Sequence, residues 1–354
     1  MGDVDLRRQQ LQDWAVAWLA REQPGRRPAG PLATVSGDAS FRRYFRLPLA
    51  DGALIAVDAP PDKENSRPFV AIARALRAHG VHVPEVVAAD FDLGFMLLED
   101  FGDVLLRPRL DAATVDDLYG RAMDTLLHLL GCDEVPGYAL PPYDRQRLTD
   151  EMALIRDWFI ARYLGLALTT EQQATLANAF ALIAADCVAQ PQVFVHRDYH
   201  SRNLMLLANG DIGVIDFQDA VTGPVTYDLV SLLRDAYVTW PEADVTRWAR
   251  QFAQLLRRER RLGADVDDAT FLRWFDWMGA QRHLKVVGIF ARLSLRDGKH
   301  GYLEDIPVVY DYLLAELRQQ APLQALFHLL RGPVLEAYLR KKPEAAATLG
   351  HWVG

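Results

Sequence analysis

The sequence is most informative at His196-Arg197-Asp198-Tyr199-His200-Ser201-Arg202-Asn203 and, a short distance on, at Ile215-Asp216-Phe217-Gln218-Asp219. Between these segments lies a predicted β-hairpin, residues 204–215, with the strong turn Asn209-Gly210. Strand ends fix the side chains beside them. We therefore expect Asp198, Asn203 and Asp216 to point into one cavity.

These three side chains match what phosphoryl transfer requires. A carboxylate must accept a hydrogen bond from the attacking hydroxyl, and an amide and a second carboxylate must hold the magnesium ion that bridges the ATP phosphates. We predict Asp198 as the base and Asn203 and Asp216 as metal ligands, and we class all three as catalytic. A network of polar turns is the alternative, but it does not require all these motifs together. His196 is predicted to brace the loop rather than to titrate.

The regions on either side of this segment differ in pattern. Apolar spacing predicts helices over residues 5–22 and 67–79, and strands at 41–47, 54–59, 83–87 and 95–99. After residue 103 the pattern is mostly helical. We therefore predict an α+β, bilobal, protein-kinase-like fold with a small mixed β-sheet N-lobe and a larger, mainly helical C-lobe. The predicted boundaries are an N-terminal nucleotide-binding lobe at 1–98, a hinge at 99–103, and a C-lobe at 104–354 that carries the catalytic loop and the metal site.

Composition narrows the function classes. The chain has 354 residues, of which 50% are hydrophobic, and a formal net charge of -8. No basic stripe favours a nucleic-acid partner, and no apolar run approaches the roughly 20 residues that span a bilayer. Its two cysteines are far apart, which argues against a disulfide framework. We expect a cytoplasmic monomer that acts on a small molecule.

The same motifs resemble those of the aminoglycoside phosphotransferase and choline kinase superfamily, whose members share the protein-kinase-like fold. The catalytic-loop motif reads Val195 to Asn203, the metal motif Val214 to Asp219, and Gly223-Pro224-Val225-Thr226-Tyr227-Asp228-Leu229 matches the family's helix-starting Asp that braces both loops. The resemblance covers about residues 30–315. It implies a kinase that uses ATP and Mg²⁺.

A narrower resemblance is carried by several segments that occur together. They are Gly37-Asp38-Ala39-Ser40-Phe41-Arg42-Arg43-Tyr44, Asp58-Ala59-Pro60-Pro61, Glu64-Asn65, Arg67-Pro68-Phe69 and Gln281-Arg282-His283-Leu284-Lys285-Val286. Together they resemble the anomeric cell-wall sugar kinases of Gram-negative bacteria. The resemblance implies ATP-dependent phosphorylation of N-acetylmuramate and N-acetylglucosamine at the anomeric hydroxyl, giving the α-1-phosphate in peptidoglycan recycling. Two alternatives stay open: an aminoglycoside or amino-alcohol (choline/homoserine-type) kinase, and a nucleotide-binding pseudokinase scaffold.

The predicted nucleotide site combines a turn, a strand residue and the hinge. Its members are Ser36, Gly37, Asp38, Ala39, Ser40, Arg43, Glu99 and Phe101. The turn would cover the phosphates, and the hinge backbone would meet adenine. Asp58 occupies the place where the family carries a phosphate-binding Lys, which is the feature that supports the pseudokinase alternative. Arg42, Arg43 and Arg46 are candidate replacements, and alternation puts Arg43 on the opposite strand face from the other two.

The predicted substrate site is cationic because N-acetylmuramate carries a carboxylate. Its members are His200, Arg202, Asp219, His283 and Lys285. Arg282 and Lys285 lie three positions apart and share a helix face. The alternative for this helix is a solvated basic face, and the alternative for Asp219 is a surface position. A cationic loop also disfavours a polycationic antibiotic as the substrate.

Overall fold

The structure is a computed structural model that describes residues 5–35 and 41–353. The strands are β1 Ala33–Thr34, β2 Arg43–Leu49, β3 Gly52–Asp58, β4 Val86–Asp90, β5 Phe95–Glu99, β6 Gln192–Val195, β7 Leu204–Leu206, β8 Ile212–Val214 and β9 Val221–Pro224. The helices are α1 Leu6–Glu22, α2 Ser66–Ala78, α3 Val115–Leu130, α4 Arg145–Leu154, α5 Thr170–Ala189, α6 Tyr227–Leu233, α7 Glu242–Arg258, α8 Asp268–Asp297, α9 Ile306–Arg318, α10 Gln324–Leu329, α11 Leu335–Lys341 and α12 Ala346–Leu349. The predicted α+β class is confirmed.

Packing divides the chain into two compact units. The first takes the chain up to Ala139 together with Arg202–Asp219, and the second takes Leu140–Ser201 together with the chain from Ala220 onward. The lobe boundaries at 98 and 103 stay predictions, because these units follow packing and do not identify a hinge. Among the residues that the structure describes, no helix combines the length and apolarity that crossing a bilayer requires.

The sheet of the first unit has the strand order β1-β2-β3-β5-β4, and each neighbouring pair is antiparallel. One face packs against α1, where Leu11, Ala15 and Leu19 are fully buried against residues such as Phe45 and Leu97. Strand residues alternate between faces, so the neighbours of these core residues point to the other side. The opposite face is therefore available to line a cavity.

The hairpin predicted from Asn209-Gly210 is present in the first unit. Strands β7 and β8 pair antiparallel, and Gly210 has the positive φ of 86° that such a turn requires. The β7 strand also joins the segment after the predicted hinge through hydrogen bonds that link Leu106 to Leu204 and Leu206 to Val104. These bonds fix the hairpin beside the chain that leaves the sheet.

The second unit is built around the long helix α8. This helix packs against α4, α5, α6, α7 and α9. Gly288 permits the close approach of α4, because a Cβ at this position would lie 2.3 Å from the backbone carbon of Leu154. Strand β9 was not predicted, since its Gly and Pro content reads as a loop; it pairs antiparallel with β6 immediately before the catalytic loop.

Candidate active site

A cavity of about 410 Å³ lies within the first unit. Its lining includes the predicted hinge residues Glu99 and Phe101 and both predicted metal ligands, Asn203 and Asp216. The structure thus brings together side chains about 100 positions apart in the sequence and places Asn203 and Asp216 in one cavity. That Asp198 points into the same cavity stays a prediction. The predicted phosphate turn, Ser36, Gly37, Asp38, Ala39 and Ser40, lies outside the described residues.

Asn203 and Asp216 face each other across the hairpin. The Asn203 amide donates a hydrogen bond of 3.3 Å to Oδ2 of Asp216, and the Gln218 amide donates one of 2.6 Å to Oδ1. The backbone N–H of Ile215 donates to the Asn203 carbonyl at 3.1 Å. Asp216 has a φ of 67°, in the left-handed region that non-glycine residues seldom adopt. Such conformations concentrate at functional sites, where surrounding contacts maintain them.

The donor set at Asp216 fits a hard divalent cation. Magnesium prefers oxygen ligands and binds through one or two carboxylates plus substrate phosphates. Asp216 and Asn203 supply such oxygens, and Oε1 of neighbouring Gln218 is buried with no hydrogen-bond partner among the described residues. Within residues 5–35 and 41–353 there is no cluster of three or more His, Cys, Asp or Glu side chains suited to a metal. These oxygens can form a magnesium site in which nucleotide phosphates supply the remaining ligands.

The predicted hinge segment, residues 99–103, takes part in ion pairs at Glu99, Asp100 and Asp103. The Glu99 carboxylate accepts hydrogen bonds from Arg77 at 3.0 Å and from the Glu85 backbone at 3.1 Å. Arg46, which lines the cavity, donates to Asp100 at 2.6 Å and to Asp103 at 2.8 Å. The guanidinium of Arg46 is therefore bound to the hinge.

The predicted cofactor residue Arg43 lies on the sheet face that packs against α1. Its guanidinium donates to Asp58 at 2.6 Å and to Asp5 at 2.5 Å. Arg7 of α1 donates to the same Asp58 carboxylate at 2.8 Å, and Asp58 is fully buried. Strand register explains this placement, since Asp58 lies opposite Arg43 and Phe95, whereas Ile55 lies opposite Arg46. Asp58 therefore points away from the cavity, contrary to the expectation that it replaces the Lys side chain there.

The catalytic loop of the second unit is braced by Asp228 in the first turn of α6. Its carboxylate accepts hydrogen bonds from the backbone N–H groups of His196 at 2.6 Å and Arg197 at 2.9 Å. Nδ1 of the buried His196 accepts one from the backbone of Asp198 at 3.2 Å. The bracing roles predicted for His196 and Asp228 are confirmed. Asp235 extends the brace by accepting from Ser201 through both its backbone, at 3.0 Å, and its hydroxyl, at 2.5 Å.

The predicted base Asp198 is half-buried and surrounded by positive charges. Burial by itself raises the pKa of this carboxyl, but Lys285, His200, Arg282 and Arg197 together outweigh burial and lower the pKa to about 2. Asp198 is therefore ionised at neutral pH, as an acceptor for a hydroxyl proton must be.

The cations beside Asp198 are held by a carboxylate that the sequence did not reveal. Glu151 of α4 accepts from Arg197 at 2.5 Å and pairs with the Lys285 ammonium at 3.2 Å. Burial raises the pKa of Glu151, but these two cations and a hydrogen bond from Tyr143 reverse that effect and lower it below its ordinary value. No local motif marks Glu151, because its partners are distant in sequence.

Placement of the remaining predicted substrate residues varies. Lys285 is 4% exposed and donates to the Tyr227 hydroxyl at 2.9 Å, and His283 is 2% exposed with its Nδ1 2.9 Å from Glu316. The solvated basic face considered for this helix is therefore wrong. His200 lies edge-on to Tyr237. In the first unit, Arg202 is half-buried and Asp219 is exposed.

Comparison with known proteins places the chain among phosphotransferases. The profile of the phosphotransferase enzyme family matches residues 31–267. The N-acetylmuramate/N-acetylglucosamine kinase of Pseudomonas putida is 42% identical over 93% of this chain and 97% of its own length. The protein of the same name from Pseudomonas aeruginosa is 43% identical over 92% of this chain and 96% of its own.

The fold also resembles a solved structure. It is that of a thermostable mutant of aminoglycoside phosphotransferase APH(4)-Ia in a ternary complex with ADP and hygromycin B. The TM-score is 0.55 and the identity 17%, with 88% of this chain and 98% of that chain covered. At this identity the likeness concerns the fold alone.

Proposed function

The chain belongs to the phosphotransferase enzyme family, and we propose that it transfers the γ-phosphoryl group of ATP to the anomeric hydroxyl of N-acetylmuramate and N-acetylglucosamine. The product is the α-1-phosphate. The names of relatives that are 42% and 43% identical over nearly the whole chain support this substrate class. Action as a monomer in the cytoplasm, within peptidoglycan recycling, belongs to the same proposal.

The observation that carries the proposal is the charge environment of Asp198. Lys285, Arg282 and Arg197 surround this half-buried carboxylate with positive charge and keep it ionised. Such a setting suits a substrate that bears a carboxylate and repels a polycationic antibiotic. This distinction favours an acidic amino sugar over an aminoglycoside.

The proposed chemistry requires little of the base. An anomeric hydroxyl is more acidic than an ordinary alcohol, so Asp198 needs only to accept its hydrogen bond and orient its oxygen for in-line attack. Positioning then supplies most of the rate enhancement. Asn203 and Asp216 are the residues that would hold Mg²⁺, which supplies charge neutralisation of the ATP phosphates when bound.

The pseudokinase alternative loses its support in this arrangement. It depended on Asp58, whose carboxylate is satisfied by Arg7 and Arg43 on the α1 face of the sheet. A scaffold has no requirement for an ionised Asp198 together with the Asn203–Asp216 pair.

The proposal is tested by comparing free N-acetylglucosamine and N-acetylmuramate with methyl N-acetylglucosaminide. We expect transfer to both free sugars and none to the methyl glycoside, whose anomeric oxygen is blocked. Equal turnover of the glycoside would move the phosphorylated position elsewhere on the sugar.

The residue roles are tested with Asp198→Asn and Asp216→Asn. Asparagine keeps the volume of each side chain and tolerates the positive φ at position 216. We expect transfer to fall at least about 1,000-fold in each variant, since the acceptor or the metal ligand is lost. Melting temperatures close to that of the parent protein would show that the fold persists, and parent-like turnover would rule out the assigned roles.

A further inference from the structure

Among the described residues that line the cavity there is no lysine, whereas kinases of this fold use one to hold the ATP phosphates. On β3 the residue that faces the cavity is Ile55, and Val57 lies on the same strand face opposite Tyr44, another lining residue. A cation for the phosphates must therefore come from another element, unless the nucleotide binds without one.

Two of the arginines near β2 have other partners. Arg43 lies on the α1 face and is bound by Asp5 and Asp58. Arg46 faces the cavity, but Asp100 and Asp103 at the hinge hold its guanidinium with hydrogen bonds of 2.6 to 3.1 Å. Each is committed to a pair of carboxylates, which leaves Arg42 for consideration.

Arg42 contacts a side chain that lines the cavity. It is 6% exposed, and its guanidinium carbon lies 5.6 Å from the ring centre of Phe69 on α2. The Phe69 ring stacks on Phe217 at 4.8 Å, and Phe217 directly follows Asp216. Both rings line the cavity. A chain of direct contacts therefore connects Arg42 with the segment that carries Asp216.

Glu64 fixes this arginine in place. Its carboxylate lies 3.3 Å from the Arg42 guanidinium, and its other oxygen accepts a hydrogen bond of 3.3 Å from the backbone N–H of Phe41. Phe41 directly follows the predicted phosphate turn. In kinases of this fold a helix glutamate holds the strand lysine. Here Glu64, just before α2, holds Arg42, just before β2.

We propose that Arg42 contacts the phosphates of the bound nucleotide and that the Arg42–Glu64 pair replaces the lysine–glutamate pair of the fold. A planar guanidinium suits bidentate contact with phosphate, and its burial means that little ordering is needed when the nucleotide binds. This inference rests on the proposed nucleotide-dependent function, but it concerns phosphate recognition and is independent of the identity of the sugar.

The test compares the affinities for MgADP and adenosine, measured by isothermal titration calorimetry in the absence of any sugar. The ratio of the two dissociation constants reports phosphate recognition. In Arg42→Met we expect the preference for ADP to fall about 10- to 100-fold while adenosine affinity is unchanged. Arg42→Lys is expected to retain part of the preference, and Glu64→Gln to lose less than Arg42→Met does.

Arg67→Met is the matched control, because it removes an exposed cation from α2, the helix that carries Phe69. It is expected to keep the parent ratio. An unchanged ratio in Arg42→Met would overturn the inference, and so would an equal loss of ADP and adenosine affinity, which indicates a purely structural role. If Arg42→Met does not fold, the ratio of the two dissociation constants is measured in Arg42→Lys instead, and an unchanged ratio there would overturn the inference. A parent protein that binds neither ligand would instead refute the proposed function.

Discussion

Replacement of Lys285 by Met tests whether buried cations keep the carboxylate of Asp198, the proposed base, ionised. Among the neighbouring charges, Lys285 lowers the pKa of Asp198 the most. Its ammonium lies 3.2 Å from the Glu151 carboxylate and donates a hydrogen bond of 2.9 Å to the Tyr227 hydroxyl. Methionine preserves most of the side-chain volume and removes only the charge. The substitution therefore alters the electrostatics around Asp198 more than the packing.

The magnitude follows from the pKa of Asp198. The pKa is about 2, against an ordinary value of 3.8. One pKa unit corresponds to about 1.4 kcal/mol, so the surroundings favour the ionised form by about 2 to 3 kcal/mol. Because the pKa is lowered in the folded state, this stabilisation is fully present above pH 3.8 and is lost as the pH falls through about 2.

The assay is the pH dependence of kcat/KM for the amino sugar between pH 4 and 8. In the parent protein we expect no loss of activity at the acid end from protonation of Asp198, because its pKa lies below the measured range. In Lys285→Met fewer positive charges oppose the effect of burial, so the pKa of Asp198 rises. We then expect kcat/KM to fall toward the acid end of the measured pH range. The free energy of unfolding should also fall, by about 1 to 3 kcal/mol, because Glu151 loses a buried partner.

Arg296→Met is the control for this experiment. Arg296 lies on the same helix α8 but is exposed, so its removal should leave the pH profile unchanged. A Lys285→Met profile that is lower at every pH, with the same shape as the parent profile, would refute the electrostatic role. That result would instead indicate a contact with substrate.

Two further predictions concern glycines at close contacts. In Gly288→Ala the added methyl would lie 2.3 Å from the Leu154 backbone, so we expect thermal denaturation to show that the free energy of unfolding falls by about 3 kcal/mol. Gly120→Ala is the control, because a methyl at this position in α3 meets nothing within 4 Å and should raise the free energy of unfolding by up to about 1 kcal/mol. Equal effects of the two substitutions would contradict the packing argument. In Gly213→Ala the methyl would lie 2.8 Å from the Phe101 ring at the cavity, so KM for ATP should rise while KM for the sugar stays constant. A parallel change in both KM values would contradict that expectation.

Local sequence signals were sufficient for most of the fold and for the catalytic motifs. Helix α2 appeared at the predicted place because Phe69, Ile72 and Leu76 follow helical spacing, and all three are buried. The hairpin followed from Asn209-Gly210. The bracing by Asp228 could be predicted because its motif involves only one loop and the start of one helix.

The features that were not predicted depend on partners distant in sequence. Glu151 is one of several polar residues in a helix without strong periodicity, and its importance comes from Lys285, more than 130 positions away. The sequence predicts His283 as a substrate residue, and only helix packing places Glu316 of α9 beside it. No spacing within a single segment predicts such pairs, because they are created by helix packing.

Strand register at position 58 has a consequence for how relatives of this chain are classified. A search that scores catalytic competence by a lysine on the third strand would class this chain with degenerate enzymes, since it finds an acid there. The carboxylate of Asp58 instead joins the amino-terminal helix to the back of the sheet. Surveys of inactive kinases would therefore gain from asking which side of the strand a substituted residue occupies before they infer the loss of a function.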